Sequence, residues 1–129
     1  FDYVCCPVGT GGTIVGIISS LRENQKAIGV SVLKGGEFLK KEVQKLMPSP
    51  FPLGERDIVT EYHFGGYGKH TPELLKFIDN FEKQNQVPLE HVYTGKMMFG
   101  IYDLIKKKFF PKNSTVIAIH TGGLQGKLH

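Results

Sequence analysis

The chain has 129 residues, 40% of them hydrophobic, which is enough for one core-bearing globular unit. No apolar run approaches the roughly 20 residues needed to cross a bilayer, and no charged stretch leading into an apolar one marks a secretory signal. The formal charge of +4 comes from 16 basic and 12 acidic residues, but its one dense run, Lys106 to Lys108 before Phe109 and Phe110, closes a predicted helix. Cations there complement the helix dipole, so the run is not read as a nucleic-acid surface.

The first predicted element is an apolar strand over Asp2 to Val8. Its adjacent Cys5 and Cys6 point to opposite faces, so a disulfide between them is not expected and the setting reads as reducing and cytoplasmic. A helix follows from Gly12 to Asn24, with Ile14, Ile17, Ile18 and Leu21 on its apolar side. Next come a strand over Ala27 to Leu33 and a helix from about Gly36 to Leu46. Pro48, Pro50 and Pro52 mark a loop. Ile58 to Phe64 alternates as an extended segment. Thr71, Pro72 and Glu73 start a helix, with Thr71 as N-cap, Pro72 at the first position, and Leu74, Leu75, Ile78 and Phe81 on one face. A further helix runs from about Lys96 to Lys107, with Met97, Met98 and Phe99 packing against the core or a second subunit. Thr115 to Ile119 is a last buried strand, ending at His120. This alternation predicts an α/β fold: an open, mostly parallel sheet flanked by helices, with ligand sites at the carboxyl ends of its strands.

One such end is chemically distinctive. Gly9, Thr10, Gly11, Gly12 and Thr13 join the first strand to the first helix, where free N–H groups, the positive end of the dipole and two hydroxyls suit a phosphate. Glycines there let the backbone approach it closely. The turn is not a P-loop, because Thr13 and Ile14 follow Gly12 where Lys-Ser/Thr is needed. It is not the dinucleotide pattern either, since position 14 is Ile14 and no acidic residue closes a strand about 20 residues on. A purely structural turn is the alternative.

Taken with Gly65-Gly66-Tyr67-Gly68, Val92-Tyr93-Thr94-Gly95-Lys96 and His120-Thr121-Gly122-Gly123-Leu124, this turn resembles the phosphate cup of pyridoxal-phosphate enzymes of the tryptophan synthase β fold, called fold type II. The four motifs in this order resemble the 1-aminocyclopropane-1-carboxylate deaminase and D-cysteine desulfhydrase family, over essentially the whole chain. The resemblance implies pyridoxal 5'-phosphate as cofactor, held at its phosphate by Gly9 to Thr13. It also implies that Tyr93 acts in proton transfer or hydrogen bonding near the substrate, and that Tyr67 is a substrate contact. A base role for Tyr93 would require a phenol pKa below the ordinary value of about 10. In the family the cofactor-linked lysine and the substrate-carboxylate segment lie upstream of the cup. The chain is therefore expected to be the C-terminal portion of a longer enzyme, inactive on its own, whose complete form is a homodimer.

The ring-nitrogen partner decides how strongly the cofactor withdraws electrons. Aminocyclopropane deaminases proper carry an acidic residue after the tyrosine, and this chain has Thr94. Thr121 is the first choice for the nitrogen contact and Thr94 the second, as in desulfhydrase-like members. A neutral hydroxyl suits β-elimination better than opening a cyclopropane, so the resemblance points to D-cysteine desulfhydrase-like deamination of a small amino acid to a 2-oxo acid and ammonia. Ring opening to 2-oxobutanoate, another fold type II reaction, and a non-catalytic phosphate-binding module are the alternatives. The family's usual Asp-Pro is replaced by Glu90-His91. Lys96 is not the cofactor-linked lysine by this resemblance and is expected to be exposed or to brace a loop. His63, His70, His91, His120 and His129 lack metal-ligand spacing, and His120 reads as structural.

Overall fold

The computed structural model describes residues 1–9, 12–46 and 57–121. Thr10 and Gly11 of the phosphate turn, the proline segment with Pro48, Pro50 and Pro52, and Gly122, Gly123, Leu124 and His129 lie outside the described residues. Four parallel strands form one sheet in the order β3-β2-β1-β4: β1 is Tyr3–Val8, β2 Lys26–Ser31, β3 Ile58–Val59 and β4 Val116–Ala118. The open parallel sheet flanked by helices is the one the alternation predicts. Its central strands are buried along nearly their whole length, as parallel strands covered on both faces are.

The alternation of β1 and β2 divides the core in two. Val4, Cys6, Val8 and Ala27 pack with Ile14 of helix α1 (Gly12–Ser20) and with Leu39 and Val43 of α2 (Phe38–Leu46). Cys5, Ile28 and Val30 face the other way, onto Met97, Ile101 and Leu104 of α4 (Thr94–Lys106). Adjacent cysteines thus serve opposite layers. Both are free and buried, and burial raises their thiols to about 12 for Cys5 and about 11 for Cys6, so neither is a thiolate nucleophile at neutral pH. Helix α3 (Pro72–Asn85) packs outside α4 through Leu74 and Ile78, with Leu89 of the following segment in the same cluster. Its start is the predicted one: the Thr71 hydroxyl accepts the Leu74 N–H at 3.2 Å, with Pro72 in the first turn.

Several elements are shorter than predicted, for local reasons. Helix α1 ends at Ser20 rather than Asn24; the Ser19 and Ser20 hydroxyls donate to the carbonyls four residues back, offering that turn an alternative to continued helix. Of Ile58 to Phe64, only Ile58 and Val59 pair with β2. Tyr62 instead turns in to donate its hydroxyl to Asp103 at 2.6 Å, and Phe64 begins a run of positive φ.

The last strand corrects the prediction most. It is neither as long as Thr115 to Ile119 nor buried, since β4 is an edge strand whose Ile117 is 40% exposed. Its pairing stops for a reason written in β1. The Cys5 carbonyl faces β4 and accepts the Ile119 N–H at 2.9 Å; Pro7, two residues on, faces the same way and has no N–H to continue the ladder. The chain therefore leaves the sheet beside the end of β1, where the phosphate turn begins.

Candidate functional site

Five segments meet at the carboxyl edge of the sheet. A Cβ added to Gly9, at the end of β1, would lie 3.4 Å from the Tyr93 ring, so the first residue of the phosphate turn and the start of α4 are in contact. The Tyr93 hydroxyl is 2.8 Å from that of Tyr67, and the two rings meet edge to face with centroids 5.8 Å apart. Beyond β2, the same loop reaches Lys34: a Cβ on Gly66 would come within 3.6 Å of the Lys34 Cβ. After β4, His120 Nε2 lies 2.8 Å from the carbonyl of Pro88, which ties that end to the segment leading into α4.

At the start of α1 the structure describes Gly9, Gly12 and Thr13, of which Thr13 is exposed. The first turn of α1 carries no acidic residue, so the positive end of its dipole is uncancelled. With glycine at the close approach to Tyr93 and a hydroxyl in the first turn, the donor set fits a phosphate.

Tyr93 occupies the N-cap of α4 without a side-chain cap of its own. Glu90 does the capping. Its carboxylate accepts the N–H of Val92 at 2.6 Å, of Tyr93 at 2.8 Å and of Thr94 at 2.6 Å, and the side chain is 1% exposed. A buried anion at a helix N-terminus is stabilised by both the donors and the dipole. The geometry also demands Gly95, whose N–H donates to the Glu90 carbonyl at 2.8 Å and whose Cβ would sit 2.6 Å from that oxygen and from Ile78 Cδ1. Glu90 thereby sets the backbone of Tyr93.

The Tyr93 phenol is pushed up to about 12, first by its hydrogen bond to Tyr67 and then by burial. That is opposite to the lowering a base would need, so in this arrangement Tyr93 is a protonated hydrogen-bond donor at neutral pH. Tyr67 is 57% exposed and faces outward from its loop.

The two threonines differ sharply. Thr94 is fully buried; its hydroxyl donates to Glu90 Oε1 at 3.1 Å and accepts the Glu90 N–H at 3.1 Å, so its proton is already used inside the protein. Thr121 is exposed at the end of the β4 segment, beside His120.

Two buried charges were not among the predicted site residues. In the sequence Glu90 stands as a departure from Asp-Pro, and a carboxylate three to four residues before a helix start is also a capping signal. Lys96 is fully buried, not exposed, and it braces a loop: Nζ donates to the Gly66 carbonyl at 2.9 Å. Burial lowers its ammonium to about 8, against the opposing pull of Glu90. His91 packs edge to face on His70 at 5.1 Å; burial, then the neighbouring His70, lowers its pKa and favours the neutral ring. Among the described residues, no group of three His, Cys, Asp or Glu is placed to hold a metal ion, and no helix is long and apolar enough to cross a membrane.

No protein-family profile matches the chain. It is 34% identical over its full length to a Pyrococcus furiosus protein provisionally named 1-aminocyclopropane-1-carboxylate deaminase, covering 41% of that protein. A Rhizobium radiobacter protein named 1-aminocyclopropane-1-carboxylate deaminase is 30% identical across 95% of the chain and 40% of its own length. Among solved structures, the crystal structure of a homologue of that deaminase superposes with a TM-score of 0.80 at 31% identity, over 98% of this chain and 41% of the other. The chain thus spans about two fifths of the length of the relatives it matches.

Proposed function

Starting from a chain homologous throughout to 1-aminocyclopropane-1-carboxylate deaminases, we propose that it is part of a pyridoxal-phosphate enzyme that deaminates a small amino acid. The observation that carries this reading is the meeting of the phosphate turn with the tyrosine pair: Gly9 against Tyr93, and Tyr93 on Tyr67. In the complete protein the N–H groups from Gly9 to Thr13 hold the phosphate, Thr121 donates to the ring nitrogen, and Tyr93 and Tyr67 line one side of the substrate. Bound there, the cofactor supplies the electron sink that lets the amino acid lose its α-proton. The rest of the site, the cofactor-linked lysine included, comes from a part of the protein not in this chain, and a homodimeric, cytoplasmic enzyme goes with the same reading.

What this chain contributes is binding and orientation. The Tyr93 phenol, kept protonated because it donates to Tyr67, presents its oxygen as an acceptor on the substrate side, and the Tyr67 hydroxyl proton is the one free to be donated there. Glu90 and Gly95 set the angle at which Tyr93 enters α4. Since the Glu90 carboxylate is committed to capping and the Thr94 proton to Glu90, an acidic partner for the ring nitrogen is not supplied from this helix start. A neutral hydroxyl at Thr121 leaves the ring less positive, which favours α,β-elimination: D-cysteine and water give pyruvate, hydrogen sulfide and ammonia.

The names of the relatives favour the second reading, in which 1-aminocyclopropane-1-carboxylate and water give 2-oxobutanoate and ammonia. Supplying both amino acids to the complete enzyme and identifying the 2-oxo acid separates them. Pyruvate from D-cysteine with no 2-oxobutanoate supports elimination, and the reverse supports ring opening.

A further inference from the structure

We propose that Lys96 is a positioning residue for Tyr67, acting from inside α4 through the carbonyl of Gly66. The loop that presents Tyr67 is rich in glycine, whose conformational freedom leaves its placement to outside contacts. Phe64, Gly65, Gly66 and Gly68 all adopt positive φ, at 54°, 103°, 130° and 73°. Its own hydrogen bonds are local turns: Gly65 N–H to His63 Nδ1 at 3.0 Å, Gly66 N–H to the His63 carbonyl at 3.2 Å, and Lys69 N–H to the Gly66 carbonyl at 2.9 Å. Bonds of that kind shape a loop without fixing where it sits.

Two side chains from outside the loop tie it down: His91, hydrogen-bonded to the Gly68 backbone, and Lys96, which reaches the residue next to Tyr67. Lys96 lies in the first turn of α4, three residues after Tyr93, and is fully buried, yet it carries an ammonium to the one carbonyl that immediately precedes Tyr67. That oxygen accepts two donors, one from the loop and one from the helix. Tyr67 and Tyr93 are therefore joined twice, by their hydroxyls and, behind them, by Gly66 and Lys96. Taking a lysine out of water is costly, and an apolar residue would fill the same space without that cost. The charge is accounted for by its acceptor: Lys96 holds the loop so that the exposed Tyr67 phenol stands at hydrogen-bond distance from Tyr93 before substrate arrives. This proposal rests on the reading of Tyr67 as a substrate-facing residue.

The test uses the complete enzyme with Lys96→Met, which keeps the length of the side chain and removes the donor. Hydrogen exchange without substrate is expected to be about tenfold faster over residues 64–69 in the variant, with residues 98–106 of α4 unchanged. Turnover is expected to fall about tenfold or more in kcat/KM. Tyr67→Phe combined with Lys96→Met is expected to be no worse than Tyr67→Phe alone, because the lysine acts through that tyrosine. Unchanged exchange over 64–69, or activity losses that multiply in the double variant, would overturn the proposal. A Tyr67→Phe enzyme as active as the parent would instead overturn the reading of Tyr67, whatever the exchange shows.

Discussion

The hydroxyls of Tyr67 and Tyr93 lie 2.8 Å apart although 26 residues separate them, one on a loop of positive φ and the other at a helix N-cap. Their shared hydrogen bond is the main reason the Tyr93 phenol is held near 12 rather than at its ordinary 10. Removing the partner with Tyr67→Phe should bring the Tyr93 titration back toward 10, seen as an ultraviolet difference between variants with and without Tyr93. The linkage sign follows. The folded state binds this proton more tightly than the unfolded one, so its contribution to stability is complete below pH 10 and is lost as the pH rises toward about 12. A Tyr93 titration that does not move in Tyr67→Phe would separate the two phenols.

Capping by Glu90 should be visible as stability. Glu90→Ala leaves the N–H groups of Val92, Tyr93 and Thr94 without their carboxylate and is expected to cost about 2–4 kcal/mol in denaturant unfolding. Glu90→Gln, which retains one acceptor oxygen, should cost about half of that. Equal stability of all three proteins would remove Glu90 from the account of how Tyr93 is held.

Two glycines in helices should respond with opposite signs. Gly95→Ala drives a methyl to 2.6 Å from the Glu90 carbonyl and Ile78, with an expected loss of about 1–3 kcal/mol. Gly16→Ala, in α1, meets nothing within 4 Å and should gain about 0.5–1 kcal/mol from propensity alone. Thermal unfolding of the pair reads both.

Much of this arrangement was legible in the chain. Period-2 alternation placed Cys5 and Cys6 on opposite layers, and the Thr71-Pro72 start is a local signal that tertiary structure had no reason to override. The glycine-rich turn and the two tyrosine motifs stand out in the sequence, and the fold brings Gly9, Tyr67 and Tyr93 together. What pattern reading missed were the charges inside. Pattern alone does not reveal that Glu90 and Lys96 are buried, because isolated charges rarely are, although Lys96 does brace a loop as expected; the partners explain both, three amide donors for one and the Gly66 carbonyl for the other. The burial expected of β4 failed for a related reason. An apolar run does not reveal that its strand lies at the sheet edge, which depends on where the neighbouring strands pair.

The most direct test of the cofactor reading is Thr13→Glu in the complete protein, freed of cofactor and titrated with pyridoxal phosphate. Thr13 is exposed in the first turn of α1, which has no acidic residue, so a glutamate there should leave the fold intact or stabilise it by about 0.3–1 kcal/mol through the helix dipole. The same charge stands where the phosphate is to bind. The account predicts a variant at least as stable as the parent whose affinity for pyridoxal phosphate falls about tenfold or more. A variant that binds the cofactor as tightly as the parent would contradict the placement of the phosphate at this turn.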